Sequence, residues 1–246
     1  MKPLASRTVS GLLVAFAAAF AARAADSNPT VDSILAAFVE ASGGKAAIEK
    51  IKSRQIKGDI DIMNSTSAWT ALAKPPNKQL SEFSSPDFGA VADGFDGTVA
   101  WSKNQSGVRV KEGEELAKTK RDADFYRYLN LKKLYPDLAY KGTDKVDGEE
   151  VRVLESKPSA SSKERFSFSV KTGLLIRQES EFESPQGKFS LTIRLDDFRA
   201  VDGVKYPHSL KFKLNLGDQA FDFAIRVKEV KHDVPIDDAK FAKPAE

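Results

Sequence analysis

The chain has 246 residues, with 38 Lys and Arg against 35 Asp and Glu, 41% hydrophobic residues, two His and no Cys. Without cysteine it can form no disulfide, no cysteine-ligated zinc or iron–sulfur centre and no thiol nucleophile. The mixture of apolar and charged residues is that of a folded globular protein, and it excludes a disordered chain or a multi-spanning membrane protein.

The first 24 residues have the pattern of a cleaved secretory signal peptide. Lys2 and Arg7 precede an apolar stretch from Val9 to Ala22, and Ala22-Arg23-Ala24 offers an A-x-A cleavage site. Removal of residues 1–24 takes away three cations and no acid, so residues 25–246 carry 35 charges of each sign. We therefore expect a periplasmic protein with one domain, residues 25–246, and no electrostatic reason to bind nucleic acid.

The mature chain begins with helices and then changes to a period of two. An apolar stripe at helical spacing starts after Asn28-Pro29-Thr30 and stops at Gly43-Gly44, and a short second helix follows. Alternation from Ile56 to Ile62 predicts a half-buried strand. Five further strands are predicted at 67–73, 79–84, 89–93, 98–103 and 107–111, because turn residues separate these segments.

Residues 113–135 interrupt the strands with apolar residues at helical spacing among many charges, which predicts one or two amphipathic helices. Basic and aromatic side chains alternate around Arg121, Phe125, Tyr126 and Arg127. Because Asp122 and Asp124 lie among them, the pattern favours a solvated helix face over a surface that stacks on nucleic-acid bases.

The second half reads as a meander of long strands. Turn residues fall at 147–148, 159–162, 172–173, 186–187, 202–203 and 217–218, and apolar residues alternate with polar ones between them. One face of each strand is therefore apolar and the other polar. Strands of this length favour a single strongly curved antiparallel sheet, and the helices at the start and middle of the chain could cover its open side.

No catalytic or metal-binding motif is present. Gly43-Gly44-Lys45 lacks the Ser or Thr and the preceding strand of a phosphate loop, so a helix C-cap explains it better. His208 and His232 have no H-x-x-x-H or nucleophile-elbow pattern around them. Adjacent carboxylates such as Asp196-Asp197 point to opposite faces of a strand. We predict no enzyme activity, no cofactor and no metal.

Three segments carry a resemblance to a known family. They are Lys74-Pro75-Pro76-Asn77 before a strand, 96–101 (DGTVAW) in a hairpin, and 237–241 (DDAKF) near the end. With the order helix, strands, helical insertion and meander, the chain resembles periplasmic outer-membrane lipoprotein-sorting carriers of the LolA/LolB type. The resemblance covers most of the mature chain.

That resemblance implies an unclosed β-barrel with a helical lid, whose apolar cavity accepts the acyl chains of lipoproteins or other lipids. The sorting carriers have an Arg just before the Pro-Asn of this segment, where it helps to hold the lid, and this chain has Pro75. A release mechanism that depends on that Arg is therefore not expected here. Relatives of the same fold include envelope-stress sensors and cofactor-free enzymes, so the fold leaves the activity open.

The sequence thus predicts an exported carrier or binding protein for an amphiphile. Its cargo would be a lipid or an acylated protein, its partner a membrane-associated donor or acceptor, and its state a monomer. Two alternatives remain open, namely a module that recognises a protein partner without lipid and a cofactor-free enzyme with a hydrophobic substrate. The residues predicted to contact the ligand are Trp69, Trp101, Phe189, Ile193, Phe212, Phe221 and Phe223 on the cavity wall and Tyr126 and Leu129 on the lid.

Overall fold

The structure, a computed structural model, describes residues 28–63, 65–184 and 187–245. The predicted signal peptide lies outside the described residues. Four α-helices are present in this part of the chain: α1 (Val31–Ala41), α2 (Lys45–Lys50), α3 (Gly113–Asp122) and α4 (Arg127–Leu134). A single 3-10 helix spans Asp238–Phe241 near the C-terminus of the described chain.

Thirteen strands make up the rest of the described fold. They are β1 (Arg54–Ile62), β2 (Ser65–Lys74), β3 (Lys78–Ser85), β4 (Gly89–Phe95), β5 (Ala100–Asn104), β6 (Gly107–Val110), β7 (Ala139–Val146), β8 (Glu149–Ser159), β9 (Ser162–Ser169), β10 (Leu175–Ser184), β11 (Gly187–Val201), β12 (Val204–Leu216) and β13 (Gln219–His232). The six strands predicted before residue 112 are confirmed as β1 to β6.

All thirteen strands form one antiparallel sheet in the order β6-β5-β4-β3-β2-β1-β13-β12-β11-β10-β9-β8-β7. Two meanders, β1 to β6 and β7 to β13, join where β1 pairs with β13. Strands β6 and β7 are the two edges, so the curved sheet is not closed into a barrel. The chain crosses from one edge to the other through α3 and α4, and the predicted fold class is confirmed.

Local sequence explains the ends of these elements. The Thr30 hydroxyl accepts a hydrogen bond from the Ser33 amide at 3.1 Å and so caps α1. Gly43 and Gly44 follow the helix with positive φ angles of 121° and 83°, as the predicted C-cap requires. The two-residue turns Asp147-Gly148 and Asp202-Gly203 have positive φ at both residues, which matches the twist of the strands they join.

The helices define an inner face of the sheet. Helices α1 and α4 pack on β8 to β10 through Phe38, Tyr135, Phe166 and Phe168. A second cluster joins α2 and the segment 125–129 to inner residues of β1, β2, β12 and β13. The opposite, outer face of the described sheet carries charged residues and two separate apolar clusters. The C-terminal segment covers one of them, and the other includes Val151 and Val153 of β8. The main core therefore lies between the helices and the inner face.

Candidate functional site

An apolar wall covers the inner face of β11, β12 and β13. Register places Ile193 opposite Phe212 and Phe212 opposite Phe223, so these three residues form one row across the strands. The Phe212 and Phe223 rings stack with centroids 4.4 Å apart and planes 6° apart. Further residues on this face of the three strands are Phe189, Leu191, Leu195, Leu210, Leu214, Leu216, Phe221 and Ile225.

The wall is covered at one end and uncovered at the other. Ile225 and Val227, toward the helices, are buried in the inner core. Toward the β12–β13 turn the aromatic and aliphatic side chains are only half-buried, and Leu216 is 39% exposed. A cleft of about 890 Å³ opens at this end between residues 109–115 and the side chains of Phe182, Phe189 and Leu216. A cleft of this size matches the volume of small-molecule sites.

Residues 125–129, from the α3–α4 connection into the first turn of α4, are held against the core as a lid. The Tyr126 hydroxyl donates to the carbonyl oxygen of Ile51 at 3.0 Å, and Leu129 packs against the inner core. The Phe125 amide donates to the carbonyl oxygen of Pro76 at 3.0 Å. The Pro75-Pro76 turn thus contacts the lid through its backbone.

Five charged residues, which we call the lid cluster, join α3 and α4 to the sheet. They are Lys118, Arg121 and Asp122 of α3, Arg127 at the start of α4 and Glu164 of β9. Lys118 Nζ lies 2.6 Å from Asp122 Oδ2 and 3.7 Å from Glu164 Oε1, and Arg127 Nη2 lies 3.2 Å from Asp122 Oδ1. The Lys118, Arg127 and Glu164 side chains are 12%, 18% and 3% exposed. The predicted solvated helix face is therefore wrong at these positions, because the polar side chains turn inward.

The sheet supplies hydrogen bonds to the same cluster. Glu164 Oε2 accepts a bond of 2.6 Å from the Ser180 hydroxyl, and Gln178 Oε1 accepts a bond of 3.3 Å from Arg127 Nη1. Both β10 partners are buried. A buried charge without partners would cost several kcal/mol. These contacts offset that cost for the charged residues on the inner face.

The pKa shifts of the lid cluster agree with these ion pairs. Burial alone would lower the pKa of Lys118, but the Asp122 and Glu164 carboxylates outweigh it and raise that pKa. Burial alone would raise the pKa of Asp122, but Lys118 and Arg127 outweigh it and lower that pKa. Burial raises the pKa of the Tyr135 hydroxyl, which therefore stays neutral. The ion pairs persist near neutral pH.

The structure brings together most of the residues predicted to bind the ligand. Phe189, Ile193, Phe212, Phe221 and Phe223 share the uncovered wall, and Phe189 lines the cleft. Trp69 also faces inward, but it belongs to the packed core, where its indole nitrogen donates to the Ser81 hydroxyl at 2.9 Å. Tyr126 and Leu129 lie on the lid, as predicted. Their contact with a ligand stays a prediction.

The position of Trp101 differs from the prediction. Register places Leu72 opposite Leu80, Leu80 opposite Gly94, and Gly94 opposite Trp101, so these residues share one face. That face is the outer one, because Leu72 is an odd number of residues from the inward Trp69. Trp101 packs there with Leu72, Leu80 and Phe241. It cannot line the cavity.

Sequence reasoning missed two parts of the site. Phe182 of β10 stacks on Phe189 with centroids 4.3 Å apart, but its inward neighbours Gln178 and Ser180 are polar, so β10 shows no apolar alternation. The lid cluster was missed because α3 and α4 carry charge on several faces. Glu164, at an apolar-facing position of β9 between Ser162 and Phe166, was the one signal that the inner face holds a charged partner.

The two histidines have packing partners. His208 is buried, with Nδ1 3.0 Å from the carbonyl oxygen of Tyr206. His232 lies between Asp202 and Tyr206, with Nδ1 2.8 Å from the Asp202 carboxylate and Nε2 3.0 Å from the Tyr206 hydroxyl. Because Tyr206 is only 5% exposed, its hydroxyl is not accessible to a substrate in this conformation. The arrangement ties the β11–β12 turn to the end of β13.

Across 28–63, 65–184 and 187–245, no group of three or more His, Asp or Glu side chains is placed to hold a metal ion. In the same part of the chain, none of the helices combines the length and apolar character needed to cross a membrane.

Comparison with known proteins gives a likeness of fold. No family model matches the chain, and no curated protein sequence matches it. The crystal structure of a DUF1329 family protein from Desulfovibrio piger superimposes with a TM-score of 0.54 at 15% identity, covering 87% of this chain and 98% of that one. A structure from Vibrio parahaemolyticus, described as an outer membrane lipoprotein-sorting protein domain, superimposes with a TM-score of 0.50 at 12% identity, covering 78% and 90%. The chain therefore has the LolA-like fold that its sequence motifs predict.

Proposed function

We propose that this protein is an exported carrier or binding protein for an amphiphile, whose apolar chain lies on the uncovered inner wall of β11 to β13. Its cargo is a lipid or the acyl chains of a lipoprotein. Residues 1–24 direct the protein to the periplasm, and residues 25–246 act there as one domain. The proposal includes no catalytic step and no cofactor.

The half-buried apolar wall is the observation that carries this proposal. In a protein that only needs a core, stacked rings such as Phe212 and Phe223 would be covered by the helices that already cover Ile225. Instead they are only half-buried, and Phe189 and Leu216 of the same wall line the cleft. Each methylene buried there stabilises a complex by about 0.8 kcal/mol, so a 12-carbon chain gains on the order of 10 kcal/mol before ordering costs.

The shared fold supports the same proposal. The Vibrio parahaemolyticus structure described as a lipoprotein-sorting domain matches over 78% of this chain, which includes most of the curved sheet by length. An identity of 12% is too low to transfer an activity. The shared fold therefore agrees with a lipid ligand, and the proposal itself rests on the half-buried wall.

A protein partner at the same wall is the second candidate. Three large apolar residues, Leu216, Val110 and Met63, are exposed by 39%, 47% and 66%. A contiguous exposed patch of such residues is typical of a protein contact. The two functions differ in what they bury: a lipid chain enters the cleft, whereas a partner would cover the rim. Competition between a lipid and the probe described next distinguishes them.

The test is fluorescence titration of purified protein with the neutral apolar probe N-phenyl-1-naphthylamine. We expect saturable binding of about one probe per chain and displacement by a long-chain lipid. Phe212→Glu should abolish this binding, because it places a charge on the wall, whereas Phe212→Leu should largely keep it.

Lys213→Glu is the matched control, because Lys213 is the next residue on β12 and is exposed on the outer face. It should bind the probe like the wild type. Circular dichroism and thermal melts check that each variant is folded. Binding that never saturates, or a folded Phe212→Glu variant with unchanged binding, would contradict the proposal.

A further inference from the structure

The lid cluster contains more positive than negative charge. Its formal charges are three cations, Lys118, Arg121 and Arg127, against two carboxylates, Asp122 and Glu164. Lys118 and Arg127 both pair with Asp122, and Lys118 also approaches Glu164. Arg121 forms no ion pair within the described residues and instead lies over the Tyr135 ring, with Cζ 5.6 Å from the ring centroid. Three cations therefore share two carboxylates, which leaves a formal excess of one positive charge.

Two donors of the cluster also have no acceptor. The Nε atoms of Arg121 and Arg127 are buried, and neither has a hydrogen-bond partner in the described part of the chain. Asp122 Oδ1, an acceptor of the same cluster, has no hydrogen bond either, although it lies 3.2 Å from Arg127 Nη2 in their ion pair. Buried guanidinium donors normally find acceptors, because an unmade bond to a charged group costs about 1–3 kcal/mol or more. The formal excess of positive charge and the two unpartnered Nε atoms favour an anionic acceptor from outside the chain, because Asp122 is already ion-paired with Lys118 and Arg127.

The cluster lies at the border of the apolar wall. Gln178, which accepts from Arg127, stands in register with Ile193, and Ile193 with Phe212 and Phe223. Neighbouring strands are about 4.8 Å apart, so Phe212 is roughly 10 Å from Gln178 along this row. One row of the inner face thus runs from a cationic cluster to stacked aromatic rings, which is the layout of an amphiphile.

We propose that the ligand is an anionic amphiphile, whose carboxylate or phosphate head group binds at Arg121 and Arg127 while its chain lies on the wall toward Phe212 and Phe223. This inference rests on the proposed function and names the class of its ligand. The head group would neutralise the excess positive charge and accept from the free guanidinium donors. Arg121 is a binding residue in this proposal, since the ion pairs that hold the lid do not include it.

The carboxylates at the cleft mouth do not reverse this preference. Glu112, Glu114 and Glu183 line the cleft, and Glu115 is paired with Arg109 at 2.7 and 2.6 Å. Glu112 and Glu183 are exposed to solvent, where two charges 4 Å apart interact by only about 1 kcal/mol. The same separation at a partly buried site is worth about 4 kcal/mol. The lid cluster therefore determines the preferred charge of the head group, which is negative. Acidic residues in the first turn of α3 are also explained by its helix dipole.

The test compares 12-carbon amphiphiles that differ only in the head group. Each compound is titrated, below its micelle concentration, against the intact mature protein with bound N-phenyl-1-naphthylamine, and displacement of the probe is measured. The compounds are dodecanoate, dodecyl phosphate, dodecyltrimethylammonium and neutral dodecyl maltoside. We expect both anions to bind at least tenfold more tightly than the neutral and cationic compounds. Dodecanoate and dodecyl phosphate distinguish a carboxylate site from a phosphate site.

Arg121→Gln removes the excess charge and leaves the other four charges of the cluster in place. It should weaken both anions about tenfold and leave dodecyl maltoside unchanged. Lys120→Gln is the matched control, because Lys120 is the adjacent, exposed cation of the same helix. This variant should change neither the affinity for the anions nor the affinity for dodecyl maltoside.

Each failure has a distinct meaning. If the neutral compound binds and the anions gain nothing over it, the proposed function stands and this inference is overturned. Equal effects of Arg121→Gln and Lys120→Gln would also overturn it. If none of the four compounds displaces the probe, the proposed function itself is contradicted. The ranking of head groups on the wild-type protein needs no variant, so the test decides even if Arg121→Gln does not fold.

Discussion

The Trp101 indole nitrogen donates a hydrogen bond of 2.9 Å to the carbonyl oxygen of Phe241, across 140 positions of the sequence. Phe241 is fully buried against Leu72, Leu80 and Trp101 on the outer face. Asp238, in the same segment, binds Lys74 Nζ at 2.8 Å and Lys78 Nζ at 2.5 Å. The C-terminal segment is therefore a structural part of the sheet, and Trp101 serves stability at a distance from the cavity.

The first prediction concerns this contact. Phe241→Ala removes a fully buried ring, so we expect the free energy of unfolding to fall by about 3–5 kcal/mol. Phe241→Leu keeps the site apolar. Apart from the cost of the lost side-chain volume, it should lower the free energy of unfolding by less than about 1.5 kcal/mol. Urea denaturation followed by tryptophan fluorescence measures both. A loss below 1 kcal/mol for Phe241→Ala would mean that the C-terminal segment is only loosely attached.

The loops between strands explain why the sequence predicted the inward residues of the second half of the sheet better than those of the first half. Turns β10–β11, β11–β12 and β12–β13 have two residues each, so inward positions switch between even and odd numbers at every turn. Gly187, Gly203 and Gly217, which lie in or next to these turns, are visible in the sequence. Phe189, Phe212 and Phe223 could therefore be assigned to a single face by alternation and turn length together.

In the first half the loops have mixed lengths. Lys74 pairs with Lys78 and Ser85 with Gly89 across three-residue loops, whereas Phe95 pairs with Ala100 across four. The four-residue loop reverses the parity, so Trp101 faces outward although Trp69 faces inward. This change cannot be read from the residues alone, because either loop length fits the same turn-forming sequence.

The second prediction concerns pH. The ordinary pKa of Asp122 is 3.8, and the cations of the lid cluster lower it in the folded state. A carboxyl group with a lowered folded-state pKa stabilises the protein above its unfolded value, and this contribution is lost as the pH falls through the folded-state pKa. We therefore expect the melting temperature to drop as the pH falls below about 4.

Asp122→Asn should flatten this acid-side drop, because the titrating group is gone. At neutral pH the same variant should be less stable by roughly 1–3 kcal/mol, since Lys118 and Arg127 lose their partner. Melting curves from pH 7 to pH 2.5 measure both effects. Asp218→Asn, at the exposed β12–β13 turn, is the control and should follow the wild type. If the melting temperature of Asp122→Asn falls with decreasing pH as steeply as that of the wild type, Asp122 is not the group responsible for the acid-side loss of stability.

The third prediction concerns export. Residues 1–24 contain the charged start, apolar stretch and A-x-A site of a signal peptide. Expression of the full chain in a Gram-negative host should yield periplasmic protein whose N-terminus is Ala25 or a residue close to it. Mass spectrometry of the purified protein measures this mass directly. Replacing Ala22 and Ala24 by Asp should leave the precursor uncleaved, and an intact Met1 on wild-type protein in the cytoplasm would contradict both the location and the proposed function.

The last prediction concerns the junction between the two meanders. Gly58 lies at the register shift between β1 and β13, and a Cβ atom added there would lie 2.2 Å from the carbonyl oxygen of Arg226. This neighbour is backbone in the middle of the sheet, so it cannot move away without breaking the ladder that holds β1 to β13. Gly58→Ala should therefore cost about 1–3 kcal/mol, equivalent to a drop in melting temperature of roughly 2–12 °C for a domain of this size.

Gly148→Ala separates this steric effect from ordinary backbone strain. Gly148 has a φ of 85° and open space around its Cα, so its substitution strains the backbone without a clash. It should cost about 1 kcal/mol. Because the wall residues of β12 and β13 lie next to this junction, Gly58→Ala should also weaken probe binding, whereas Gly148→Ala at the distant β7–β8 turn should not. A Gly58→Ala variant with the melting temperature and probe affinity of the wild type would show that the β1–β13 junction yields without cost and does not hold the wall in place.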